Sequence, residues 1–200
     1  MGRYPIHFHK CGDIPTSYVK GVSVHHSNSR VVTLHGVRFL HVSESVGFEV
    51  FGHNFFIEDG SETKNTLDGN IGINTRMIWT LSNKDVTSAT FWVTHPDNIV
   101  KNNAAAGGQW YGFWYELMPH PEGPTTDSSL CPDQSPMGLF KNNTAHTYLK
   151  FGLRIKKHSP VTNPCSSLKN FALEDPFSEN PSITALYEDF YTWKIKEIGA

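Results

Sequence analysis

The sequence has almost no excess of charge of either sign. It carries 17 basic and 19 acidic residues, a formal net charge of −2, so no strong field points to nucleic acid or an anionic membrane surface as a partner. No stretch approaches the roughly 20 apolar residues of a membrane span. The opening Met1-Gly2-Arg3-Tyr4-Pro5 lacks the apolar centre of a secretory signal. Cysteine is scarce: Cys11, Cys131 and Cys165 are the three present, and no two have the close spacing of a zinc site. The second and third lie in loop-like surroundings, Leu130-Cys131-Pro132 and Pro164-Cys165-Ser166. The expectation is that they pair across an excursion of the chain in an oxidising compartment, with Cys11 free or bonded outside the chain. Three free thiols is the plain alternative.

What the sequence does have is a globular apolar content, 38% with 12% aromatic, enough for a core in one domain. It also has eleven histidines, an outlying number.

Short apolar runs recur. Ile6-His7-Phe8-His9, Val32-Thr33-Leu34-His35 and Phe55-Phe56-Ile57-Glu58 each end in His or Glu, at steps of 26 and 23 residues, and Phe91-Trp92-Val93-Thr94 follows with His95 beneath Asp59. A second column reads Val22-Ser23-Val24-His25, Val42-Ser43-Glu44-Ser45, Leu67-Asp68-Gly69-Asn70, Val100-Lys101-Asn102-Asn103 and Phe140-Lys141-Asn142-Asn143. Its last three lines end in Asn, the pattern of an Asn ladder. Self-similarity at this period means stacked repeats, none able to bury its own apolar face. Strands of about five residues with Gly, Asn, Ser and Asp turns make the unit β. The fold expected is all-β, a parallel β-helix whose coils lie about 4.8 Å apart, and such a stack places His9, His35 and Glu58 one above another.

Residues 1–155 read as coils. The stretch from His120-Pro121-Glu122-Gly123-Pro124 to about Met137 is a long Pro/Gly/Ser loop excursion. Residues 156–181 form a loop-rich excursion and 182–200 the start of a further coil. In that last segment Ile183, Leu186, Tyr187 and Phe190 have helical spacing, while Tyr191-Thr192-Trp193-Lys194-Ile195 alternates as a strand. The expectation is a short helix or turn leading into a coil, in what looks like a piece of a longer protein.

The groups with chemical potential cluster. His7 and His9 share one face of a strand, and stacking brings His35 and Glu58 onto it. Imidazoles with carboxylates can bind sugar hydroxyls, act as general acid and base, or hold a divalent metal. Glu58 and Asp59 are the candidate catalytic pair; adjacent strand residues face opposite sides unless the strand ends there, and Gly60 permits such a turn. His7, His9, Asp13, His25, His35, His53 and Trp114 are candidate binding residues. His9, His35 and Glu58 are candidate ligands for calcium or another divalent metal. Trp92, Trp110, Tyr111, Trp114 and Tyr115 offer faces for a sugar ring, although Trp92 and Phe113 are better read as interior. A lone His on a strand is more often simply packed or hydrogen-bonded.

Several motifs occur in order: Gly2-Arg3-Tyr4-Pro5-Ile6-His7-Phe8-His9, Gly12-Asp13, Ser23-Val24-His25-His26-Ser27, Val32-Thr33-Leu34-His35-Gly36, Phe55-Phe56-Ile57-Glu58-Asp59-Gly60 and Ala104-Ala105-Ala106-Gly107-Gly108. Over roughly residues 2–155 they resemble the β-helix region of the fibrocystin-L family and of its relatives, the cell migration-inducing hyaluronidases. The later motifs Phe113-Trp114-Tyr115, His120-Pro121-Glu122-Gly123-Pro124 and Phe140-Lys141-Asn142-Asn143-Thr144 are more similar to the fibrocystin-L branch. Arg154-Ile155-Lys156-Lys157 departs from the apolar continuation expected. The resemblance implies a right-handed parallel β-helix in a large secreted or single-pass membrane protein, extracellular or at the cell surface, with a glycine-rich domain upstream. One branch is associated with hyaluronan binding and depolymerisation, the other with a surface-coat role and no established enzymatic activity. Three readings follow: a non-catalytic extracellular module binding glycans or neighbouring proteins; a fragment of a hyaluronidase-type glycoside hydrolase acting on hyaluronan; and a structural spacer. Asn142-Asn143-Thr144 is the usable glycosylation sequon, consistent with a glycoprotein.

Overall fold

The computed structural model describes residues 4–79, 85–166 and 180–197. Among them are sixteen strands and three short 3-10 turns, and no α-helix. The first coil comprises β1 (Ile6–Asp13), β2 (Tyr18–Lys20) and β3 (Ser23–His25). The next three repeat the plan: β4 (Val32–Arg38), β5 (His41–Ser43) and β6 (Val46–Phe48); β7 (Phe55–Ile57), β8 (Thr66–Asp68) and β9 (Ile71–Thr75); β10 (Ala89–Val93), β11 (Ile99–Lys101) and β12 (Ala104–Gly108). In the last two coils one longer strand replaces two, giving β13 (Tyr111–Glu116) with β14 (Leu139–Tyr148), and β15 (Phe151–Lys156) with β16 (Tyr187–Ile195).

The first sheet runs β1-β4-β7-β10-β13-β15, and all its ladders are parallel. The second holds the remaining strands in two arms that meet at β14. This is the parallel β-helix expected, with the right-handed sense that parallel crossovers take.

Register explains the core. Ile6, Val32, Phe55, Phe91, Phe113 and Leu153 occupy one column of the first sheet, and their side chains point inward. Phe55 stacks on Phe91 at 4.9 Å and Phe91 on Phe113 at 4.6 Å. A facing column is Val19, Val42, Leu67, Val100 and Phe140. Where the second arm nears the first sheet the interior narrows, and Gly47 and Gly72 pair in register there. A Cβ on Gly72 would meet Thr90 Cγ2 at 2.2 Å, so only glycine fits that approach.

The bend between the two arms has a backbone cause. Gly21, Glu44, Gly69, Asn102, Asn142 and Asp189 all have positive φ, as do His26, Glu49, Asn74, Gly107, Thr147 and Lys194 five residues later in each coil. Just inside the first corner lies the Asn ladder. Ser45 N–H donates to Asn70 Oδ1 (3.1 Å), Asn70 N–H to Asn103 Oδ1 (2.9 Å) and Asn103 N–H to Asn143 Oδ1 (3.0 Å). A second, shorter ladder joins Leu40, Asn65 and Asn98; nothing in the sequence reading pointed to it.

Three expectations need correction. Val19, not Val22, pairs with Val42, so Val22-Ser23-Val24-His25 is three residues out of column and Val22 lies beneath Ser45. Residues 187–190 belong to β16, which pairs with β14 over Phe140–Tyr187 to Tyr148–Ile195; the ladder overrides the helical spacing. Trp92 pairs with Phe56 and Trp114 on the outer face, in a second apolar cluster with Ala89 and Tyr111, whereas Phe113 is interior.

Cys131 and Cys165 are disulfide-bonded with Cα atoms 5.4 Å apart, and Cys11 is exposed with a free thiol. Residues 117–138 contain only the turns Gly123–Thr125 and Pro132–Gln134 and fold back on Gly60, next to Pro121 and Pro132. Of the loop-rich stretch expected at 156–181, residues 167–179 lie outside the described residues.

Candidate functional site

Alternation along the first sheet sends every second side chain outward, and stacking turns those positions into two rows. One reads His7, Thr33, Phe56, Trp92, Trp114, Arg154; the other His9, His35, Glu58, Thr94, Glu116, Lys156, following the strand register. The first is largely aromatic and the second polar.

At the start of the second row three imidazoles meet. Ring centroids are 4.6 Å apart for His9–His35, 5.2 Å for His7–His9 and 6.2 Å for His7–His35. Burial, reinforced by the charges of His9, His35 and Arg30, lowers the pKa of His7. His35 is buried and touches both candidate carboxylates, Glu58 Oε2 at 3.5 Å from Nδ1 and Asp59 Oδ2 at 2.9 Å from Nε2. Strand β7 ends at Ile57, and the turn that follows lets two adjacent carboxylates reach one ring. Burial raises the Glu58 pKa against the opposing pull of His35 and Arg30. Asp59 is clamped from the other side: Thr125 Oγ1 donates to Asp59 Oδ2 (3.0 Å) and Glu122 N–H to Asp59 O (3.0 Å). The excursion after β13 therefore helps to build the site.

Beneath the turn lies Glu62, which the sequence reading passed over. Its buried carboxylate accepts N–H bonds from Gly36 (2.8 Å), Gly60 (2.9 Å) and Asp59 (3.1 Å). The burial that raises its pKa is only partly offset by these bonds.

Further along the rows a cleft of about 240 Å³ opens between Glu58 and Glu116, bordered by Asp59, Trp92, Thr94 and Trp114. The Arg154 guanidinium lies 4.7 Å from the Trp114 ring centroid and donates to the Tyr111 hydroxyl (2.7 Å). Glu116 is ion-paired with Lys156. Arg30 covers the Phe56 ring at 3.2 Å.

Thus His7, His9, His35, Glu58, Asp59 and Trp114 all lie along this face. Asp13, at the end of β1, is ion-paired with Arg38 (2.6 Å). His25 is on β3 beside His26, their Nδ1 atoms 3.0 Å apart. His53 is fully buried, packed on Phe56 and Trp92, and its Nδ1 accepts the Ala89 N–H (2.9 Å); it supports the aromatic row from beneath. Glu116 was missed as a site residue, although aligning Phe113 under Phe91 places it two coils above Glu58.

A family model described as the CEMIP beta-helix matches residues 1–153. The chain belongs to the CEMIP beta-helix family. This CEMIP beta-helix is 44% identical over 170 residues to mouse Fibrocystin-L, covering 84% of the chain and 4% of that protein. It is 35% identical over 244 residues to human Cell surface hyaluronidase CEMIP2, covering the whole chain and 18% of that protein. Against the mouse Cell migration-inducing and hyaluronan-binding protein it is 33% identical over 243 residues, again the whole chain and 18% of the relative. The chain thus spans a small part of the length of the relatives it matches.

Proposed function

We propose that this chain is an extracellular β-helix module of a fibrocystin-L-like surface protein and that it binds a glycan along the outer face of its first sheet. The observation that carries this reading is the cleft in which Trp92 and Trp114 lie beside Glu58, Thr94 and Glu116. The parts of these two largely buried rings that border the cleft offer apolar contact to a sugar ring while flanking polar groups take the hydroxyls. Arg154 and Lys156, at one end of the rows, supply cations for the carboxylates of a uronic-acid polymer. Two of the relatives carry hyaluronidase or hyaluronan-binding in their names, which makes hyaluronan the first ligand to test. Immobilised hyaluronan oligosaccharides should bind the protein, and Trp114→Ala and Arg154→Gln should each weaken binding about tenfold, with circular dichroism reporting the fold. Equal affinity in both folded variants would overturn the reading.

A second reading, cleavage of the bound glycan, is favoured by the raised pKa of Glu58 and by Glu116 two coils away in the same row, a backbone separation of about 10 Å. Glu58 would protonate the glycosidic oxygen while Glu116, paired with Lys156, would activate a water from the other side. Hyaluronan chain length after incubation decides: shortening that is lost in both Glu58→Gln and Glu116→Gln supports hydrolysis, and unchanged length with retained binding leaves a binding module.

A further inference from the structure

We propose that His7, His9 and His35 form a transition-metal site suited to Zn2+ or Cu2+ rather than Ca2+. His7 and His9 project from the same face of β1, and His9 pairs in register with His35 on β4, so the parallel ladder itself brings the rings together. One nitrogen from each ring lies within 4.8 Å of the others. A tetrahedral zinc sphere with Zn–N near 2.0 Å separates its ligand atoms by about 3.3 Å, and side-chain rotation of the exposed His7 and His9 covers that difference.

Two buried atoms that make no hydrogen bond give an independent sign of an incomplete site. His35 is only 5% exposed, and its buried Nε2 makes no hydrogen bond, its neighbour being Asp59 Oδ2 at 2.9 Å in an ion-pair contact. Glu58 Oε2, 3.5 Å from the other ring nitrogen, is likewise buried and without a hydrogen bond. Buried polar atoms left unpaired are costly, and an ion is one of the few things that repays them. The carboxylate that faces the ring nitrogen left free of the metal can also orient His35, as carboxylates behind metal-bound histidines do. Imidazole donors select zinc, copper or nickel, while calcium takes six to eight oxygens, and the oxygens here are too few. The proposal does not depend on glycan binding, and its readout is the metal itself.

The metal-stripped protein is titrated with Zn2+ against a chromophoric chelator, with Ca2+ in a parallel arm and Cu2+ for electron paramagnetic resonance. One equivalent of Zn2+ should bind, and the Cu2+ spectrum should show splitting from several imidazole nitrogens. His7→Ala and His9→Ala, both at exposed positions, should each weaken zinc tenfold or more, roughly the lower bound for disturbing a metal's surroundings, with the circular dichroism spectrum unchanged. His25→Ala, in the other histidine pair, should leave affinity as it was. Absence of stoichiometric zinc, zinc binding indifferent to both His7 and His9, loss on His25→Ala, or Ca2+ displacing Zn2+ at equal concentration would each overturn the proposal.

Discussion

Glu62 holds the turn that lets Glu58 and Asp59 reach the same histidine, through three backbone N–H groups on one buried carboxylate. Glu62→Ala strands these donors in a place water does not reach, and the expected loss is about 2 to 4 kcal/mol in urea unfolding. His95 sets a pH limit. Burial, with smaller contributions from Lys64 and His158, lowers its pKa from 6.5 to about 4, so the unfolded chain binds a proton there that the folded protein refuses. Stability from this residue is fully present above about pH 6.5 and is lost as pH falls toward 4, a span worth on the order of 3 kcal/mol. His95→Asn keeps an acceptor for the Asp97 N–H that now bonds Nδ1, and its unfolding free energy should be flatter between pH 6.5 and 4 than that of the wild type. His9, His35 and Glu58 were legible in the sequence because their strands follow one another at nearly constant spacing. Glu116 was not, because the alignment was carried no further than the strand of Trp92, and that ring was taken as interior. Periodicity of two says that Trp92 and Phe91 face opposite ways; it does not say which way is in. That choice is made by the stacked column Phe55, Phe91, Phe113.

At the scale of the element, the Asn ladder replaces side-chain packing with hydrogen bonds at a corner. Asn103 accepts from the main chain and side chain of Asn70 and donates to the carbonyl of Leu67 (2.9 Å). Asn103→Ala should therefore cost about 2 to 4 kcal/mol. Combined with Asn70→Ala it should cost less than the two separate losses together, since the pair shares bonds; urea midpoints of the four proteins test this. The ladder was readable as Asn at a fixed offset after an apolar residue. The first line of that column was misplaced because Val19 and Val22 fit the apolar position equally well, and only the pairing of Val19 with Val42 separates them. The segment around Ile183–Phe190 shows the reverse difficulty: four apolar residues satisfied a helical period, yet an extended partner, β14, lay open alongside.

For the whole molecule, the bridge between Cys131 and Cys165 joins the excursion after β13 to the segment after β15 and closes a loop with a sequence separation of 34. On chain entropy its reduction should remove roughly 3 to 4 kcal/mol. Because the same excursion bonds Asp59 through Thr125, reduction should also raise amide exchange at Asp59 and Gly60; mass-spectrometric hydrogen exchange with and without reductant checks both. A last consequence follows from the paired left-handed corners. They are five residues apart in each of the six coils described, so that side of the molecule uses the same length of chain in every layer. The connection leaving the first sheet does not: it has two residues between Arg38 and His41 and 22 between Glu116 and Leu139. The protein thus has one plain wall, while the connections that pass between its two sheets can be furnished differently at each storey. A neighbour lying flat along several coils finds the plain wall uninterrupted, whereas whatever distinguishes one relative's chemistry from another's has room to be built where the connections between the sheets lengthen.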